Sequence, residues 1–66
     1  MSAKFPEIEV DLIGLDSNAF SIIASVRKAL NRGGAGKDQT DLFVQEATSG
    51  DYDHLLQTVT KWVSVS

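Results

Sequence analysis

Residues 16–32, DSNAFSIIASVRKALNR, decide the fold. Ala19, Ile22, Ile23, Val26, Ala29 and Leu30 recur at the i, i+3, i+4, i+7 spacing that puts side chains on one face of an α-helix. Ser21, Ser25, Lys28 and Arg32 fall on the other side. A helix with one apolar stripe cannot bury it alone, so the rest of the chain must supply the opposing surface. Asp16 is the expected N-cap, its carboxylate accepting backbone N–H groups of the first turn. That cap makes Leu15 and Phe20 the N′ and N4 residues of a hydrophobic staple, which accounts for Phe20 lying off the stripe. The alternative is a Phe20 exposed for a partner.

On the N-terminal side, Glu7 to Leu12 alternates strictly. Ile8, Val10 and Leu12 point one way and Glu7, Glu9 and Asp11 the other, as in a half-buried strand with an acidic outer face. Pro6 suits the start of a strand, and residues 1–6 read as a loose entry. On the C-terminal side, Asn31 to Lys37, NRGGAGK, ends the helix. Gly33 or Gly34 can take the left-handed C′ conformation, and Arg27, Lys28 and Arg32 lie near the negative end of the helix dipole. GGAGK is not a phosphate loop: Asn31 stands at the first glycine position, Asp38 replaces the Ser/Thr, and the segment follows a helix instead of a strand.

Asp38 to Thr48 reads as a second, shorter helix capped by Asp38, with Leu42, Phe43 and Ala47 toward the core and Val44 pointing away, free to meet another subunit. Asp51 caps a third helix through about Trp62, with Tyr52, Leu55, Leu56, Val59, Trp62 and then Val63 along its stripe. Trp62 to Val65 alternates and is β-branched, so the chain can close on a second strand. The predicted fold is α+β, one small domain over residues 1–66, ordered β-α-α-α-β. Three helices pack on a short two-stranded sheet formed by the chain ends.

Composition bounds the function classes. Sixty-six residues without cysteine exclude disulfides and thiolate metal sites, and leave a marginal core for which self-association is a common remedy. Open sheet edges point the same way, toward a homodimer. The formal charge of −3 repels phosphate backbones unless the cations gather on one face, which argues against nucleic acid. No apolar run reaches the length of a membrane span or a signal peptide, so a cytoplasmic protein is expected.

Residues 14–30, GLDSNAFSIIASVRKAL, and 46–63, EATSGDYDHLLQTVTKWV, together resemble a group of short uncharacterised proteins encoded by bacteria and their phages or plasmids. The resemblance implies a bacterial or mobile-element source and one compact domain. It implies no activity and transfers no residue role.

Candidate chemistry is sparse. His54 is the single histidine, and a metal site would need a second N or S donor. Asp51 is near enough to orient His54 as a general base, but no nucleophile stands at a definable place. No metal or cofactor is therefore expected, and a His54/Asp51 enzyme is the third-ranked reading. Arg27, Lys28, Arg32 and Lys37 fall within eleven positions and, with the glycine amides, form a candidate anion or nucleic-acid contact. The leading expectation is a non-enzymatic module that self-associates or binds an unidentified protein, with Phe20, Val44 and Trp62 as candidate partner contacts.

Overall fold

The computed structural model describes residues 3–12 and 18–65. Its elements are β1 (Phe5–Val10), α1 (Ala19–Arg32), α2 (Lys37–Ala47), α3 (Tyr52–Trp62) and β2 (Val63–Val65). The α+β order expected from the sequence is the order observed. The two strands pair in parallel, so all three helices together make the crossover between them.

β1 begins two residues earlier than the alternation suggests and ends at Val10, with Leu12 packed on the core beyond it. The loose entry expected for residues 1–6 is replaced, from Lys4 onward, by anchored chain. The Lys4 N–H donates to the Lys61 carbonyl at 2.9 Å, Phe5 stacks on Trp62, and the Ser64 hydroxyl donates to the Pro6 carbonyl at 2.8 Å. Phe5 pairs with Val63, Glu9 with Ser64 and Val10 with Val65, and the register breaks between Phe5 and Glu9. Pro6 lies in that break and has no N–H to give the ladder. Ile8 and Val10 are buried and Glu7 and Glu9 exposed, as the alternation requires.

The N-cap of α1 is Asn18, not Asp16: Asn18 Oδ1 accepts from the Phe20 amide at 2.8 Å. Leu15 and Asp16 lie outside the described residues. Moving the cap two positions makes Ile22 the N4 residue, so Phe20 loses its place in the expected staple and stands 83% exposed. The stripe itself is intact, with Ile22, Val26 and Leu30 buried. At the far end the Ala35 amide bonds the Leu30 carbonyl at 3.0 Å and the Gly34 amide the Asn31 carbonyl at 3.2 Å, the paired bonds of a Schellman cap. Gly34 supplies the positive φ, +79°, that this cap needs.

α2 starts one residue before Asp38, on Gly36, with no side-chain cap; Asp38 lies in its first turn. Thr40, Phe43 and Ala47 are buried, Leu42 is exposed, and Val44 packs on the core. The expectations for Leu42 and Val44 are thus reversed. Phe43, fully buried against Trp62, fixes the rotation of the helix; at ~100° per residue its neighbours diverge, and Val44 takes the inner side. The buried Thr40 hydroxyl donates to the Gly36 carbonyl at 2.9 Å. In α3, capped by Asp51 as expected, Leu55, Thr58, Val59 and Trp62 are buried. Thr58 joins this face because its hydroxyl donates to the His54 carbonyl at 2.8 Å, while Tyr52, expected inside, lies at the exposed first position.

Trp62 joins these layers. Its ring stacks on Phe5 with centroids 6.0 Å apart and meets Phe43 edge-on at 5.7 Å. Lys4 Nζ lies 4.3 Å from the ring centroid, and the indole N–H donates to Glu46 Oε2 at 3.3 Å. Trp62→Ala should remove about 3–5 kcal/mol, enough to unfold most of so small a domain. Urea denaturation followed by circular dichroism reads that loss. Gly33→Ala tests the packing of α1 on β1, because a Cβ there would lie 2.5 Å from Ile8 Cδ1. It should cost about 1–3 kcal/mol, and Ile8→Ala in the same chain should make the Gly33 change markedly cheaper.

Candidate functional site

The sequence offered three places for function, and the fold positions each differently. His54 lies in the first turn of α3, facing the last turn of α2. Its Nε2 is 2.9 Å from the Glu46 carbonyl oxygen and 3.1 Å from Ser49 Oγ, and the Ser49 hydroxyl donates to the same carbonyl at 2.7 Å. A carbonyl oxygen only accepts, so the imidazole presents Nε2–H to it. A nitrogen that carries its hydrogen toward Glu46 has no lone pair for the Ser49 proton, so in this arrangement the Ser49 hydroxyl gives its hydrogen to the Glu46 carbonyl and not to the ring. Asp51 does reach His54, but through the main chain: its Oδ1 accepts from the His54 amide at 2.9 Å. The expected orientation of the ring by Asp51 is therefore replaced by a helix cap. His54 ties the Glu46 carbonyl, in the last turn of α2, to the start of α3. Among the described residues no group of three His, Cys, Asp or Glu side chains is placed to hold a metal ion.

The four cations are shared out, not gathered. Lys28 and Arg32, one turn apart on α1, line a groove against Glu9 and Asp11 of the N-terminal segment. Lys37 pairs with Asp41 at 3.1 Å across one turn of α2, both side chains largely in solvent. Arg27 is exposed and lies about 100° around α1 from Lys28. Carboxylates beside three of the four weaken any attraction for a phosphate.

The third place is apolar. Ala19, Phe20 and Ile23 of α1, Ala47 at the end of α2, and Tyr52 and Leu55 of α3 line an open cleft of about 280 Å³, rimmed by Thr48, Gly50 and Asp51. Phe20 and Tyr52 are the most exposed aromatic side chains of the described chain, at 83% and 43%. Of the three residues expected to offer a partner contact, only Phe20 is at this surface. Val44 is partly buried and Trp62 is 4% exposed, occupied by Phe5, Phe43 and Lys4. Tyr52 and Ile23 were not singled out for this role by the sequence. Tyr52 is the first residue after the Asp51 cap, at the open end of the α3 stripe.

Compared with protein-family models, curated proteins and solved structures, the chain matches none.

The link between α2 and α3 has a direct test. A Cβ on Gly50 would lie 2.7 Å from His54 Cγ. Gly50→Ala and His54→Ala should each lower the thermal midpoint, and the double variant should lose clearly less than the sum, because removing the ring frees the space the new methyl needs. Asp51→Ala should cost about 0.5–2 kcal/mol, the usual loss for an N-cap, in the same thermal scan.

Proposed function

We propose that the chain is a non-enzymatic protein-interaction module that self-associates through the cleft beside Phe20. What carries the reading is the exposure of Phe20, 83%, next to an apolar hollow that α1 and α3 leave open. Isolated surface apolar residues are ordinary, whereas an aromatic ring adjoining an apolar cleft with a polar rim has the composition of an interface core. A two-fold arrangement uses both features at once, the Phe20 ring of each copy entering the cleft of the other. A small stable interface takes about 500 Å² from each partner, and the chain exposes 4351 Å². The cleft with its rim, Phe20 and Tyr52 is the apolar centre such an area needs. The non-enzymatic part of the reading is supported by the bonds that His54, Ser49 and Asp51 each make to a main-chain group at a helix end.

Sedimentation at micromolar to millimolar concentration tests this. The wild-type chain should pass from a 7.1 kDa species to twice that mass, and Phe20→Ser should remain monomeric with its helical circular dichroism unchanged. A wild-type chain that stays at 7.1 kDa throughout removes the self-association.

A further inference from the structure

A second surface, at the opposite end of α1 from Phe20, has different chemistry. A groove follows one flank of β1, with a volume of about 370 Å³ beside Glu7–Glu9 and a further 210 Å³ beside Glu9–Asp11. Both parts share Glu9, Ala29 and Arg32. Strand residues of both faces line it, the inward Ile8 and Val10 as well as the outward Glu7 and Glu9, and no residue of β2 does. A hollow that touches both faces of one strand and avoids its neighbour lies along that strand's outer edge. Among the described residues the sheet has two strands and stops there, so the main-chain N–H and C=O groups on that side of β1 face the groove. The far wall is Ala29 and Arg32 of α1 with Gly33 just beyond it, and the room for another strand is the groove itself, since Ile8 already fills the space beside Gly33.

We propose that this edge accepts an extended basic peptide as a third strand. Side chains of an added strand alternate between the open face and the face toward α1. On the open face they stand directly opposite Glu7 and Glu9, at about 4.5–5.5 Å between Cβ atoms, where opposite charges attract and like charges repel. Both glutamates are exposed and neither forms an ion pair among the described residues. Lysine or arginine at i and i+2 of the peptide therefore meets both. The residue between them points at Ala29 and must be short and uncharged, because Lys28 and Arg32 line the groove on that side. The same rule rejects a second copy of β1: pairing Glu7 and Glu9 with each other across a two-fold axis sets carboxylate against carboxylate. The main chain of the peptide supplies binding and its alternating charge supplies selection, the division seen whenever a strand is added to an edge.

The test uses the whole chain, isotopically labelled, and a pentapeptide with lysine at its second and fourth positions and alanine between, at low salt. Saturable amide shifts should centre on residues 7–10, Ala29 and Arg32. The Glu7→Gln/Glu9→Gln double variant should bind about fivefold or more weakly, and Phe20→Ser should bind as the wild type does. A peptide methylated on alternate backbone nitrogens keeps its charge and loses its ladder, so it should not bind. Equal binding of the methylated peptide, equal binding of a peptide with glutamate in place of lysine, or no shifts at residues 7–10 would each overturn the proposal.

Discussion

The fold depends on joining its two ends in parallel. Residues 5–10 and 63–65 run the same way, and a chain can do that only by crossing from one end of the sheet to the other between them. Here the crossover is the whole helical part of the molecule. Neither strand is stable alone, and β2 is only three residues long. The pairing holds because the ends are also joined by side chains: Phe5 and Lys4 from the first, Trp62 from the last, with Phe43 of α2 against the same ring. Closing so long a loop costs entropy that a three-residue ladder does not offset, and burial of this aromatic cluster is the term large enough to do so. The helices in turn gain their opposing surface from it, because Ile8, Val10 and Val63 complete the core under Val26, Leu30 and Val59.

The links between helices are settled locally. Gly34 and Gly36 both take positive φ, so the four residues between α1 and α2 reverse the chain with little strain. Between α2 and α3, Thr48 and Ser49 donate their hydroxyls to carbonyls of the last helical turn, and Asp51 receives the amide of His54. Polar side chains at this corner are committed to helix ends. That commitment leaves the adjoining cleft apolar, and it makes the histidine with its neighbouring serine and aspartate a joint between α2 and α3.

Much of the architecture was legible. The stripe Ile22, Val26, Leu30 follows from spacing alone, because a long regular helix with one apolar face has few alternative placements. The Asp51 cap was legible for the same reason, a polar residue set just before a clean stripe. The alternation at Ile8 and Val10 likewise fixed which face of β1 is inside. The short α2 was not legible in detail. Leu42, Phe43 and Val44 are all apolar and adjacent, so periodicity could not choose the phase; the choice was made by a tertiary contact, Phe43 on Trp62. Asp16 and Asn18 are both good caps two residues apart, and that small uncertainty decided whether Phe20 is stapled or exposed. The direction of strand pairing and the neighbours of the basic residues depend on how the ends meet in space. No local pattern contains that information.

The parallel closure is the claim on which the fold and the proposed peptide edge stand, since among the described residues it leaves one edge of β1 unpaired and sets α1 against it. Nuclear Overhauser contacts between the strands test it most directly. The account predicts backbone contacts of Phe5 with Val63 and of Val10 with Val65, in a chain where Trp62 ring protons also touch Phe5 and Phe43. Contacts of Phe5 with Val65 and of Val10 with Val63 would show antiparallel ends, and no contacts between the strands would show an open chain; either result would contradict it.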